Sequence, residues 1–414
     1  FREEWLVTRA LQNAGLDRRR WNRLVTGLRS AQDLAVLFAE SQLSRLCVSP
    51  LYVRSDLAIF RMELPSLSIH VPDVCTLLVC LADDRPVHRE MLSLDPLLIP
   101  REGLLIIADA TGEQAPLADI HDALRHLPGH ALRVVLSDEQ LKQILLTQSS
   151  QTARALFCRA LVTQCPVERL SPFRSSGTGI EDAYHRSFLG RERELAQLVS
   201  GVKHNFLLVG PRRMGKSSLL KALRRELALR MPDADVTSFC FGSVGSLSGL
   251  FHGEPSLPSD TPEAFHRSVL SRSPKHQVYL LDEVDYFLDV EKQSDYPYCS
   301  VMRALSAQGR ASFVLCGHRE VQQALRTADH PLRNFGDKLL LGPLDQAAAS
   351  NMLLAPLADF GIQLVDSQAT IAWICQQTAC RPHLLSFVGD TLLRLREPFG
   401  ARPISLTEVQ ESVL

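Results

Sequence analysis

Apolar positions in the first 45 residues recur at helical spacing. Trp5, Leu6, Ala10 and Leu11 form one such set and Trp21, Leu24, Val25 and Leu28 another, so a helical segment is expected over 1–45. From 46 to 165 the pattern changes. Unbroken apolar runs at 76–81, 104–108 and 132–136 have the length of buried strands, and amphipathic stretches at 117–127 and 138–146 separate or follow them. That alternation predicts a small α/β module. Residues 166–187 are punctuated by Pro, Ser and Gly without apolar periodicity and read as a linker. A second, longer α/β region is expected over 188–344. The rest, 345–414, reads as all-helical, with segments at 345–358, 366–378 and 382–396 and a fourth over 407–413.

A chain of 414 residues exceeds what one core usually organises, so two or three domains are expected. The apolar share of 45% and charged share of 22% are those of a water-soluble globular protein, and a net charge of −1 gives no overall pull toward nucleic acid or membrane. Arg18-Arg19-Arg20 reads as a solvated helix start rather than a nucleic-acid contact. The ten cysteines, at 47, 75, 80, 158, 165, 240, 299, 316, 375 and 380, form no CxxC pair and have no histidine partners spaced for zinc. They read as reduced, buried small hydrophobes, which suits a cytoplasmic protein. The charged opening Phe-Arg-Glu-Glu-Trp predicts no signal peptide, and no apolar run approaches the roughly 18–20 residues that span a bilayer.

The chemistry begins at Asn205. A strand-length apolar run to Val209 leads into Gly210-Pro-Arg-Arg-Met-Gly-Lys-Ser217, and Ser218-Leu-Leu-Lys-Ala-Leu continues at helical spacing. This is G-x-x-x-x-G-K-S in the strand–loop–helix setting that a phosphate-binding loop requires. Gly210 and Gly215 let the backbone curl past Pro211, which has no N–H, so that N–H groups from Arg212, Arg213 and Met214 onward to Ser218 can face phosphates over a helix N-terminus. Lys216 supplies a cation for the β- and γ-phosphates and Ser217 a hydroxyl for Mg²⁺. A glycine turn with no ligand is the alternative, and the flanking strand and helix argue against it.

Val278-Tyr-Leu-Leu-Asp282-Glu283 is an apolar strand ending in two carboxylates. Asp282 would hold Mg²⁺ through its water shell, and Glu283 would orient and polarise an attacking water. A third strand runs from Ala311 to His318. At the C-terminal end of a parallel strand, His318 is a candidate γ-phosphate sensor, with a solvated loop histidine as the equal alternative. Arg333 is either an arginine finger for a neighbouring subunit or a surface arginine.

Together these residues resemble a known family. Phe188-Leu-Gly-Arg-Glu-Arg-Glu-Leu195, the Gly210–Ser217 loop with Ser218-Leu-Leu, Leu-Leu-Asp-Glu-Val-Asp285 and Leu341-Gly-Pro-Leu-Asp345 are similar to AAA+-related ATPases of the STAND class, nearest their archaeal-type branch. The resemblance covers 188–414. It implies a P-loop NTPase core with a five-stranded parallel sheet, followed by a helical lid and preceded here by the small α/β module. It implies ATP and ADP as ligands with Mg²⁺, and an ATPase that hydrolyses slowly. It also implies that Phe188, Gly190 and Arg191 lie near the adenine. Cys380-Arg-Pro-His383 stands where such proteins carry a Gly-x-Pro sensor-2 element, which makes Arg381 a second γ-phosphate sensor. The missing glycine there, and His318 in place of a small polar residue, bear on the rate of hydrolysis rather than on binding. The family's members are signalling or antiviral-defence switches whose ATP state opens and oligomerises, with a protein trigger or effector as partner. The N-terminal module, especially 104–146, is similar to restriction-endonuclease-like folds but lacks an Asp…Glu-x-Lys set, so it is expected to serve recognition or assembly.

The competing reading is a DNA-handling AAA+ ATPase of the initiator or transposition-regulator type, which shares the same core motifs. Residues 341–414 carry four basic and seven acidic side chains, a poor DNA clamp, which favours the switch over DNA binding.

Overall fold

A computed structural model describes residues 9, 11–12, 14–26, 31–41, 48–53, 57–64, 67–71, 74–81, 104–110, 132–173, 188–232, 234–242, 261–271, 276–400 and 402–413. Trp5, Leu6, Ala10 and Leu28, the stretch 117–127 and linker residues 174–187 lie outside them.

Near the N-terminus the helices α1 (Arg18–Thr26) and α2 (Ala31–Glu40) precede five strands, β1 (Val48–Val53), β2 (Leu57–Glu63), β3 (Val74–Leu81), β4 (Leu104–Ala110) and β5 (Leu132–Leu136). The sheet runs β1-β2-β3-β4-β5. The first three strands pair antiparallel and the last three parallel. Leu77, Leu78, Ile106, Ile107, Val134 and Val135 are buried to within 1%, so these strands read as unbroken apolar runs. Helix α3 (Asp138–Leu146) starts at a capping box. The Gln140 amide donates to Ser137 Oγ, and the Ser137 amide to Gln140 Oε1 at 3.1 Å. Helix α4 (Ser150–Gln164) ends with the Gln164 side-chain amide on β5, exchanging two 2.8 Å hydrogen bonds with the Val135 backbone. That closes part of a sheet edge that would otherwise expose its backbone. Arg20, from the basic run, donates to the Leu145 and Thr147 carbonyls, whereas Arg18 and Arg19 are exposed.

The second region contains α5 (Glu192–Ser200), β6 (Phe206–Val209), α6 (Lys216–Arg230), β7 (Asp235–Cys240), α7 (Pro262–Ser271), β8 (Gln277–Asp282), α8 (Val284–Glu291), α9 (Pro297–Ala307), β9 (Ala311–Gly317), α10 (Arg319–Ala324) and β10 (Asp337–Leu340). Its strands form a second sheet, β10-β6-β9-β8-β7, with every pairing parallel. Every residue of β6, β8 and β9 is buried. Successive side chains on a strand point to opposite faces, and the core divides accordingly. Leu207, Tyr279, Leu281, Phe313 and Leu315 pack with Phe265, Phe287, Met302 and Val321 from α7–α10. Phe206, Leu208, Val278, Leu280, Val314 and Cys316 pack with Leu198 of α5 and Leu219, Leu223 and Leu227 of α6. Each such side chain contributes roughly 1.5–3 kcal/mol on burial. Two-sided covering is what a parallel sheet requires. This is the α/β fold of an AAA+-like P-loop NTPase.

Four helices follow, α11 (Gln346–Asp359), α12 (Ser367–Thr378), α13 (Pro382–Leu395) and α14 (Leu406–Val413). The chain groups into two compact units: Phe1–Arg174 with Leu353–Thr370 and Val388–Leu414, and Ser175–Met352 with Ile371–Phe387. Within the first, Asp359 is 5% exposed and takes a bidentate pair from Arg154, Nε to Oδ1 at 2.6 Å and Nη2 to Oδ2 at 2.5 Å, while the Ser68 amide donates to Oδ2 at 2.6 Å. Among the described residues no helix is long and apolar enough to cross a membrane.

Candidate nucleotide site

In the parallel sheet of the second unit, β6, β8 and β9 end at the same edge: Val209 pairs with Gly317, Leu281 with Leu315, and Cys240 of β7 with Asp282. The segments leaving these ends hold the groups expected to carry chemistry. Gly210 follows β6 and has no room for a side chain, since a Cβ there would stand 2.6 Å from the Leu341 carbonyl oxygen. The loop then exposes Pro211, Arg212 and Arg213 and buries Met214. Arg213 (φ 63°) and Gly215 (φ 84°) take left-handed backbone, which curls the chain into the first turn of the 15-residue helix α6. Lys216 Nζ lies 2.9 Å from the carbonyl oxygens of both Gly210 and Pro211, bracing the loop. Ser217 and Ser218 are half-buried in the first turn. The first turn of any helix presents N–H groups that lack intrahelical partners.

Asp282 ends β8, is 9% exposed and accepts the Glu283 amide at 2.8 Å. Glu283 takes left-handed backbone (φ 52°) at the start of α8, and its side chain is exposed. Such backbone on a non-glycine residue costs of order 1 kcal/mol and recurs at functional sites. Two of the cysteines expected to be buried hydrophobes flank this pair: Cys316 is buried, whereas Cys240 is exposed at the end of an edge strand. Burial, followed by the negative charge of Asp282, raises the Cys316 thiol well above its ordinary pKa, and Lys216 opposes that rise. Cys316, Asp282 and Lys216 therefore share one neighbourhood. Cys240, at the end of β7, is raised by burial and then by Asp282 and Glu283, to which its thiol is hydrogen-bonded.

His318 is half-buried at the head of α10, and among the described residues its imidazole has no hydrogen-bond partner. Its backbone N–H donates to Asp285. Arg333 is exposed in the turn before β10, its Nη1 on the Ala328 carbonyl, and no hydrogen bond or ion pair among the described residues links it to the loop. Arg381 is exposed between α12 and α13. The turn before it takes left-handed backbone at Ala379 and Cys380 without glycine, and the Cys380 carbonyl accepts the Leu344 amide. His383, two residues on, reaches the phosphate loop. Burial lowers its pKa first, then the charge of Arg213, while a hydrogen bond to the Arg213 backbone raises it.

Phe188 is half-buried against the face of the sheet that α5 and α6 cover. Gly190 (φ 76°) lies so close to Ala348 that a Cβ would stand 2.5 Å from that side chain. The Arg191 side chain is 7% exposed, bonded to Glu194 at 2.9 Å and to the Gly342 carbonyl. It braces the turn between β10 and α11. Among the described residues there is no cluster of three or more His, Cys, Asp or Glu that could hold a metal by themselves.

No protein-family model matches the sequence, and no curated protein matches it. Solved structures do. Domain III of the Thermotoga maritima replication initiation protein DnaA is 16% identical, with 55% of this chain covering 96% of that one at a TM-score of 0.39. The Aeropyrum pernix ORC2 protein is 14% identical over 58% of this chain and 70% of its own, TM-score 0.42. The Aeropyrum pernix ORC1 protein, solved in complex with DNA, is 17% identical, and this chain spans 65% of its length at a TM-score of 0.39. The strand order and the glycine loop at the end of β6 give the second unit the AAA+-like P-loop NTPase fold.

Proposed function

We propose that this chain binds Mg·ATP and hydrolyses its β–γ phosphoanhydride bond. One observation carries the reading: a left-handed glycine loop opening α6 and the acidic pair Asp282–Glu283 converge at one edge of a parallel sheet, with Lys216 and Asp282 acting on the same buried thiol. Backbone N–H groups of Arg212–Ser218 would cradle the phosphates over the helix N-terminus, and Lys216 would exchange its carbonyl contacts for phosphate oxygens. The Ser217 hydroxyl and the Asp282 carboxylate are hard oxygen donors, the chemistry that Mg²⁺ accepts. When bound, the ion supplies neutralisation of charge on the β- and γ-phosphates. Glu283, exposed beside them, would orient a water and take up its proton. Phe188 and Gly190 would border the adenine, with Arg191 bracing the turn behind them. His318 and Arg381 are the residues we assign to sensing the γ-phosphate, and Arg333 to a neighbouring subunit's nucleotide.

The finer reading is a STAND-type cytoplasmic switch for signalling or defence, closed with ADP and self-associating with ATP. Its support is the set of motifs quoted above and the acidic balance of residues 341–414. Calorimetry with Mg·ATP, followed by phosphate release, tests the first level; heat and phosphate both indistinguishable from buffer would sink it. Mass photometry with ATP, ADP and no nucleotide tests the second, with and without duplex DNA. A sequence-specific DNA complex that survives physiological salt and tightens with ATP would replace the switch by a DNA-handling ATPase.

A further inference from the structure

We infer that Asp285 is a positioning residue that ties the loop carrying His318 to the helix carrying Glu283, so that the two sides of the site keep one geometry. The inference rests on the ATP-hydrolysis reading above and deepens it. Asp285 is the second residue of α8, two positions beyond Glu283. Its Oδ2 accepts the His318 amide at 2.7 Å and its Oδ1 the Glu320 amide at 2.8 Å. These are opening N–H groups of α10, the kind that a helix leaves without intrahelical partners. A cap of this sort ordinarily comes from the short oxygen-bearing side chain of the residue at the cap itself. Here that residue is His318, whose ring does not supply the bond, and a carboxylate 33 residues earlier in the chain does so instead.

The fit is close. A Cβ on Gly317 would stand 3.0 Å from Asp285 Oδ2 and 2.5 Å from a Val321 methyl, so β9 ends in glycine where the carboxylate presses against it. Both oxygens of Asp285 are thus committed to the loop after β9, while the residue itself sits on the helix that starts at Glu283. Any displacement of Glu283 with α8 carries the His318 backbone with it.

The other end of α8 supplies an internal control. Glu291, its last residue, likewise caps α9, though with one oxygen: its Oε2 accepts the Tyr298 amide at 2.8 Å and the Cys299 amide at 3.1 Å. It performs the same structural task without holding a segment of the site. Comparing the two separates positioning from stability.

The experiment takes the full chain with Asp285→Asn, Asp285→Ala and Glu291→Ala, and measures Mg·ATP affinity, turnover and amide hydrogen exchange at 318–320. Asparagine keeps one acceptor and alanine none, so turnover should fall in that order, by about 10- to 100-fold for alanine, as displacement of about 1 Å does. Affinity should stay within about twofold, the signature of an interaction needed in the transition state and not for binding. Exchange at 318–320 should quicken in both Asp285 variants. Glu291→Ala should lose thermal stability comparable to Asp285→Ala yet keep wild-type turnover and exchange at 318–320. Wild-type turnover in Asp285→Ala, or an equal loss of turnover in Glu291→Ala, overturns the inference. If wild type binds no ATP or never hydrolyses it, the functional reading fails by itself. Exchange without nucleotide then still decides, and equal rates at 318–320 in wild type and both Asp285 variants overturn the positioning role.

Discussion

Lys216→Ala removes an ammonium that lies 2.9 Å from two loop carbonyl oxygens. On binding ATP that ammonium would trade neutral acceptors for charged ones, so its worth to affinity is a difference. Its carbonyl bonds are already charge-assisted through the donor. The gain is therefore the added attraction between opposite charges, of order a few kcal/mol at close range near a protein surface before desolvation, of which about 1–1.5 kcal/mol per bond is expected to remain. For two bonds the loss is about 2–3 kcal/mol, or about 30- to 140-fold in Kd. The fold should survive, because Pro211 is exposed and water can take over its carbonyl; the expected cost to stability is below about 1 kcal/mol. Anisotropy of a fluorescent ATP analogue gives the affinity, and circular dichroism during heating gives the stability. Affinity within about twofold of wild type, with an unchanged melting curve, would refute the placement of phosphates at this loop.

Glu283→Gln keeps the size of the side chain and loses its basicity, so turnover should drop by about 10²- to 10⁴-fold while ATP affinity holds; undiminished phosphate release would remove Glu283 from catalysis. Asp359→Ala leaves Arg154 and the Ser68 amide without their shared acceptor. Because the Arg154 side chain is 33% exposed, the loss should sit at the low end for broken buried pairs, about 3 kcal/mol in urea unfolding, and a shift under about 1 kcal/mol would show that the cluster holds little. His383 should titrate below its usual 6.5 by NMR, since burial and Arg213 disfavour the cation. Its neutral ring supports the fold fully above pH 6.5, and that support fades as pH falls through the lowered folded-state value. A midpoint above 6.5 would place the ring elsewhere.

The phosphate loop was legible because all of its information is local. An apolar run, two glycines, Lys216 and the helical repeat after it are contiguous, and strand, loop and helix need nothing remote to declare themselves. The same holds for 132–146, where an unbroken apolar run meets a capping box, and for the C-terminal helices, whose expected bounds agree with the structure to within a residue or two. Strands β1, β2, β7 and β10 were not expected, and β10 is a four-residue edge strand with only Leu339 buried. β7 is an edge strand whose residues are all exposed or half-buried, and an edge strand is not obliged to be uniformly apolar. β2 carried a short apolar run, Leu57-Ala58-Ile59-Phe60, cut off by Arg61 and Glu63 before it reached the five or six residues of the runs that were read as strands in the same module.

What the chain alone determined is which segments could be strands or helices and which of them bore phosphate-binding and acidic groups. Only the tertiary structure decided who meets whom. His318 was expected at a strand end facing a ligand, but Asp285 as the group holding its backbone depends on β9 lying beside β8. Cys316 behind Asp282 follows from that same adjacency, and His383 against Arg213 from the return of a distant segment to the loop. Helical and strand periods are written into neighbouring residues by backbone geometry. Contacts between remote segments are written by strand order, which is settled by the burial of both sheet faces at once and leaves no period in the sequence.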